Sequence, residues 1–540
     1  MSDPDSAAPA ARAPAAALPP APEPWRTPRS AGALLHPTSL PGPYPIGDLG
    51  PAAHAFLDWL AEAGLSRWQV LPLGPTGYGD SPYSCLSAFA GNPLLISPEL
   101  LVQDELLSVE GMGQVERPAR GATDFGPARA LKDRLHREAW DRFRARTSAE
   151  LALQWRSFQD GDWAAAFGAS HPFPGRFEVS WLDDWAAFAA IRSRCAGREW
   201  TSWDAGLRDR EPGALARARR ELAAEIEFRR FEQFLFFRQW FALRAAAAAR
   251  GVALIGDLPI YVAPDSADVW AHPELFDLDA AGRPREVAGV PPDYFSATGQ
   301  LWGNPLYRWS ELATDGYAWW VARLRHQLAL ADLVRLDHFR GFVAYWAVPA
   351  GDETAAGGAW RPGPGRQLFD ALAGALGGLP LIAEDLGQID AAVHDLRREL
   401  GLPGTRVVQF AFDEPDSLHA PHRLTPDCVV YTGTHDNDTC RGWIESAGEA
   451  SRHRALTYLG AAAADLPWAM VRAAFTSVAG TAIVPMQDLL GLGSAARMNT
   501  PGRDHGNWGW RVTADTVPQD LAGRIRALAE VAARVPRAPA

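Results

Sequence analysis

Eight short apolar runs, each the length of a buried strand and most followed by a stretch of helical spacing, constrain this chain more than any other feature. They are Ala31 to Leu35, Arg67 to Leu73, Val252 to Ile260, Asp332 to Phe339, Leu379 to Leu386, Thr405 to Phe412, Cys428 to Thr434 and Thr481 to Met486. Near-continuous apolar runs suit parallel strands covered on both faces, and the stretches Pro51 to Ala63 and Ile389 to Glu399 have the spacing of covering helices. The predicted fold class is α/β: a (β/α)8 TIM barrel with large helical insertions in its βα loops and no separate C-terminal β-domain.

At 540 residues and 47% hydrophobic the chain could hold several ordinary domains, but one barrel with elaborated loops absorbs this length equally well. Residues 1–30 form an Ala/Pro-rich leader expected to be disordered, without the basic start and apolar stretch of a secretory signal. Residues 31–540 are the expected barrel. Within it, about 90–250 reads as an inserted helical subdomain, whose Ala214 to Arg250 segment carries Arg and Glu on one side and Phe, Leu and Trp on the other. The segment of about 261–310 is rich in Pro, Gly and Asp and reads as a substrate-covering loop on the face where barrels build their sites. From Asp515 onward a closing helix and a frayed tail are expected.

The formal net charge of −12 and the lack of a long Lys/Arg run argue against nucleic acid or anionic lipid as the partner. No run is long and apolar enough to span a bilayer. Cys85, Cys195, Cys428 and Cys440 form no CxxC pair, which fits a reducing compartment, and the expected location is the cytoplasm. No metal and no cofactor are expected, and the expected state is a monomer. The 22 Trp residues suit a protein that stacks sugar rings, although any single Trp is more often a core residue.

Charged side chains cluster at the carboxyl ends of the runs: Asp257 on the third, Arg335 and Asp337 on the fourth, Glu384 and Asp385 on the fifth, His435 and Asp436 after the seventh. Each alone could be a structural ion pair; several converging on one barrel mouth are hard to explain by stability. Residues two apart share a strand face, so Arg335 lies beside Asp337 and favours its ionised form, as a nucleophile attacking an anomeric carbon requires. Glycosidic cleavage also needs a carboxyl that stays protonated. Glu384 and Asp385 are the rivals, and periodicity cannot choose between them. Asp436 could bind ring hydroxyls. If nucleophile and acid lie about 5 Å apart, cleavage retains configuration through a covalent glycosyl-enzyme.

Longer motifs sharpen this. They include His36 to Gly42 (HPTSLPG), Leu71 to Tyr83 (LPLGPTGYGDSPY), Ser87 to Pro93 (SAFAGNP), Gly256 to Tyr261 (GDLPIY), Gly289 to Ser296 (GVPPDYFS) and Gln300 to Pro305 (QLWGNP). Val334 to Gly341 (VRLDHFRG), Ala383 to Gly387 (AEDLG) and Gly433 to Asn437 (GTHDN) follow. From about Gly32 to the end, the chain resembles the amylomaltase family, the 4-α-glucanotransferases or disproportionating enzymes of glycoside hydrolase family seventy-seven.

That resemblance implies Asp337 as nucleophile, Glu384 rather than Asp385 as general acid/base and Asp436 as transition-state stabiliser. It implies that Tyr83, Asp293, Trp302, Asn304 and His435 bind sugar near the scissile bond, with Asp257, Arg335 and His338 counted in the same substrate set. Tyr294 and Phe295 would gate the groove, and Tyr78 would belong to a secondary glucan site. The implied partners are α-1,4-glucans and maltooligosaccharides, and the implied reaction moves glucan segments to the 4-hydroxyl of an acceptor. A hydrolase of the same fold and a catalytically silent glycan-binding barrel are the alternatives. Asn499 to Gly502 and Asn507 to Arg511 also match, and are read as mainly structural. The chain departs from the family at Ser84, where Gln is common, and in its leader. Gly491 to Ala496 fits a dinucleotide-loop spacing, but the Pro501 stretch interrupts the helix such a loop needs.

Overall fold

A computed structural model describes residues 29–112, 121–168, 177–292, 296–503 and 505–535. The leader apart from its last two residues, the tail after Val535 and the segment 293–295 lie outside them. Twelve strands occur in the described residues: β1 (Ser30–Leu34), β2 (Arg67–Gln69), β3 (Ala253–Leu258), β4 (Glu286–Val290), β5 (Gln300–Pro305), β6 (Leu333–Leu336), β7 (Ala344–Pro349), β8 (Ala359–Pro362), β9 (Leu381–Ala383), β10 (Gly404–Val407), β11 (Cys428–Tyr431) and β12 (Thr481–Pro485). Eight of them close into a parallel barrel in the order β1-β2-β3-β6-β9-β10-β11-β12, with β12 pairing back onto β1 from Ser30↔Thr481 to Leu34↔Pro485. All eight apolar runs of the sequence supply these strands.

Alternation along the strands decides what the mouth contains. Leu34, Ile255, Leu333, Ile382, Val407, Val429, Tyr431 and Ile483 pack together inside the barrel. Their chain neighbours Ala33, Leu254, Val334, Leu381, Val430 and Val484 join the core beneath the outer helices. Because the side-chain period is two, the residues one step beyond the inner layer, Asp257, Arg335 and Glu384, also point inward.

Between β2 and β3 the chain is largely helical, from Pro98–Gln103 to Ala223–Ala249. The amphipathic segment expected at Ala214 to Arg250 is two helices, Pro212–Glu221 and Ala223–Ala249, broken at Leu222. The longer one buries Phe231, Phe234, Phe237 and Trp240 and also two glutamines. Gln233 bonds both backbone groups of Gly91 at 2.7 and 3.0 Å, and Gln239 those of Ser97 at 2.7 and 3.2 Å. These pairs satisfy buried amides that no strand reaches, and so lock the loop after β2 onto the insertion. Gly91 has to be glycine here, since a Cβ would lie 1.9 Å from the Phe236 ring.

A second sheet, β5-β4-β7-β8, is antiparallel and stands beside the barrel. The segment expected as a covering loop contributes β4 and β5, and the chain after β6 contributes β7 and β8. Reading for barrel strands misses this sheet because its members are only partly buried. Every residue of β8 is exposed, and an edge strand in solvent carries no apolar alternation to detect.

The bottom of the barrel is closed by Arg534, whose guanidinium is fully buried. It donates to the carbonyls of Ser30, Ala474, Phe475, Ser477, Ala479 and Gly480 at 2.6–3.4 Å, several of them at the end of the helix Leu466–Thr476. Burial pushes its pKa down to about 9. The helix-end carbonyls stand where a carboxylate partner would otherwise be needed. Arg534→Ala would strand these oxygens, and we expect it to cost roughly 3 kcal/mol. A thermal melt should show a clearly lower transition, and Arg534→Lys should restore little, because three ammonium donors cannot reach the same set.

Candidate active site

Arg335 is the hub of the mouth. Its Nη1 lies 2.9 Å from both carboxylate oxygens of Asp257, the neighbour in register on β3, and 2.8 Å from Oδ1 of Asp337. Arg335 and Asp257 are buried, while the Asp337 side chain remains 26% exposed toward the groove. A buried arginine needs compensating partners, and here they are anions: Asp257 pairs with it at depth and Asp337 meets its outer edge. The carboxylate facing solvent is thereby held by a fixed counter-ion.

Glu384 lies one step past β9 and points inward; Asp385, one residue on, points outward. Asp385 accepts from Thr405 N at 2.8 Å and Arg406 Nη1 at 3.0 Å, and its Oδ2 is 3.3 Å from Arg397 Nε. These partners tie Asp385 to the neighbouring strand and outer helix, away from the mouth that Glu384 faces. Glu384 accepts from the backbone N of His338 at 2.8 Å and of Leu386 at 3.0 Å. The first bond depends on His338 adopting the left-handed conformation, φ 51°, an uncommon state for a residue with a side chain. Burial is the main influence on Glu384 and, with Asp337 nearby adding to it and Arg335 opposing, pushes its pKa up to about 7. The site thus holds one carboxylate beside a cation and one carboxyl that keeps its proton to near neutrality.

Asp436 completes the acidic side. Burial would raise its pKa, but His435, 3.3 Å away, and the Asn499 amide, 2.6 Å away, together hold it well below the usual carboxylate range. His435 is stacked on Tyr83, ring centroids 4.9 Å apart, and tilted against Trp508 at 5.9 Å. The Tyr83 hydroxyl donates to Asp257 Oδ2 at 2.9 Å and lies 3.4 Å from His435 Nδ1. One hydrogen-bonded chain therefore runs from Arg335 through Asp257, Tyr83 and His435 to Asp436 and Asn499. Asn499 and Trp508, read from sequence as structural, belong to this constellation. Lying on a loop rather than at a strand end, they gave periodicity nothing to detect.

The remaining expected residues spread outward. Trp302 on β5 is 37% exposed and meets the His338 ring edge-on at 4.8 Å. Burial pushes the His338 pKa down to about 4, so this ring is neutral at pH 7. Asn304 donates to the Val262 carbonyl at 2.9 Å and ties β5 to the chain after β3. Tyr78, on the turn Tyr78–Asp80, is exposed. Asp293, Tyr294 and Phe295 lie outside the described residues. Among the described residues no group of three or more His, Cys, Asp or Glu side chains could hold a metal ion, and no helix is long and apolar enough to cross a membrane.

Comparison with known proteins bears on the whole of this architecture. A family model described as 4-alpha-glucanotransferase, glycoside hydrolase family 77, matches residues 35–516. The chain is 47% identical over 517 residues to a 4-alpha-glucanotransferase of Thermus thermophilus, covering 94% of this chain and 99% of the relative. It is 46% identical to one from Synechocystis sp., covering 94% and 98%. Among solved structures, an amylomaltase from Streptococcus agalactiae in complex with acarbose superposes with a TM-score of 0.88 at 34% identity, covering 94% of this chain and all of that one. With fold, length and family model in agreement, the chain belongs to the 4-alpha-glucanotransferases of glycoside hydrolase family 77 and is an enzyme of that class.

Proposed function

We propose that Asp337, Glu384 and Asp436 carry the transfer, on α-1,4-glucans and maltooligosaccharides held across the barrel mouth. Glu384 gives its proton to the glycosidic oxygen while an Asp337 oxygen bonds to the anomeric carbon; the carbon–oxygen bond breaks and the reducing-side fragment leaves with a free 4-hydroxyl. Glu384, now a carboxylate, takes the proton from the 4-hydroxyl of an incoming glucan as that oxygen attacks the same carbon. The ester to Asp337 breaks, and two inversions leave the α configuration retained. Asp436 binds ring hydroxyls and favours the distorted ring. Tyr83, Asp257, Arg335, His338 and His435 fix these groups and contact sugar, with Trp302 and Asn304 further out.

The observation that carries this reading is the pairing of opposites in one mouth: a carboxylate against buried Arg335 and a carboxyl whose pKa is pushed up to about 7. The amylomaltase solved with acarbose supports an oligosaccharide ligand for this mouth. The 261–310 segment, with Asp293, Tyr294, Phe295 and the two strands it contributes, serves as the cover that excludes water and favours a glucan acceptor. Tyr78 would hold a glucan at a second, surface position, and the enzyme would act as a monomer in the cytoplasm.

Incubation with maltotriose and chromatography of the products tests the proposal. Glucose with a ladder of longer maltooligosaccharides is expected; glucose and maltose alone would mean hydrolysis and overturn it.

A further inference from the structure

Trp360 is an exposed indole that the catalytic reading does not use. It lies on β8, at one edge of the second sheet, and is 38% exposed. A lone exposed aromatic would need no explanation. What distinguishes Trp360 is how firmly it is held. The Arg340 guanidinium lies 3.9 Å from its ring centroid and is itself buried, donating to the Gln388 carbonyl at 2.6 Å and to Asp390 at 3.2 Å. Trp346, its partner in register on β7, meets it edge-on at 5.2 Å and is pinned by an indole bond of 2.8 Å to the Ala355 carbonyl. The ring is thus held by a fixed cation over one face and by a fixed neighbouring ring, and over a third of the residue still meets solvent.

The position matters as much as the rigidity. Arg340 is three residues beyond Asp337, so their Cα atoms lie at most about 11 Å apart. Trp302, at the opposite edge of the same sheet and supported by His338 from the same turn, emerges on the other face, since Trp360 shares its row with Trp346, Gly289 and Leu301. Trp360 is thus an immobilised indole held by a residue just past the nucleophile, where a glucan running beyond the mouth can meet it. A ring already locked in place loses no rotamer freedom when a pyranose stacks on it.

We propose that Trp360 is a remote stacking platform for α-1,4-glucan, engaged by chains longer than the catalytic mouth holds, and that Arg340 positions it. The inference rests on the assignment of the mouth to glucan transfer. Trp360→Ala is expected to raise KM for maltoheptaose about fivefold with kcat nearly unchanged, and to leave maltotriose kinetics within about twofold. Trp360→Tyr should restore most of the maltoheptaose KM. Equal effects on both donors, or no effect on either, would overturn the platform even with a normal maltotriose ladder; a wild-type enzyme without the ladder would overturn the transfer reading instead. Should the alanine variant fail to fold, Trp360→Gln at this exposed edge is read by the same ratio of KM values.

Discussion

Asp337→Asn is expected to lower kcat on maltooligosaccharides by roughly 10⁴-fold or more, about 5 kcal/mol of transition-state stabilisation, while leaving their binding largely intact. The amide has nearly the carboxylate's shape but cannot form the ester. The fold should tolerate the change because Arg335 keeps both Asp257 oxygens at 2.9 Å and is not left as an unpaired buried charge. Calorimetry with maltoheptaose separates binding from turnover. The sharper measurement uses Asp337→Gly with azide. An anion entering the vacated space would attack from the nucleophile's side and yield a glycosyl azide of inverted configuration. Undiminished turnover by the Asn variant, or an azide product of retained configuration, would remove Asp337 from its role.

Glu384→Gln is expected to lower kcat by roughly 10²–10⁴-fold on ordinary glucans, whose leaving oxygen needs a proton. On a maltosyl fluoride, whose leaving group needs none, bond cleavage should be far less impaired, and this contrast marks an acid rather than a nucleophile. The pH dependence follows from the same group. Glu384 acts protonated and its pKa is pushed up to about 7, chiefly by burial, so wild-type kcat/KM should fall as pH rises through about 7. The glutamine variant should lack that limb. If Asp385 were the acid instead, Asp385→Asn would reproduce the pattern. Its ties to Thr405, Arg406 and Arg397 predict a loss of stability instead.

Those two carboxyls show where sequence reading stops. The eight barrel strands were legible because each buries both faces, and burial on both faces leaves an unbroken apolar run in the chain. The acids were legible as a cluster for the complementary reason: a charge after such a run is costly unless it has somewhere to go. Fine assignments were not. Glu384 and Asp385 are adjacent, and the side on which each emerges depends on the strand's phase relative to the barrel axis, which is set by its neighbours. Asn499 and Trp508 reach Asp436, His435 and Tyr83 from a loop more than sixty residues downstream of Asp436 or more than four hundred beyond Tyr83. No periodicity spans that separation. The second sheet escaped notice because half-exposed strands leave hardly any apolar imprint.

The sequence by itself determined the closed parallel barrel and the convergence of acidic side chains on its carboxyl end, since both follow from local burial and the two-residue period of a strand. Only the tertiary structure decided that Arg335 is shared between Asp257 and Asp337, that a left-handed turn at His338 directs an amide at Glu384, and that Asn499 holds Asp436. Each of these is a contact between distant or differently directed groups. Their energies arise from desolvation and from distances of about 3 Å, and those exist only once the barrel has closed.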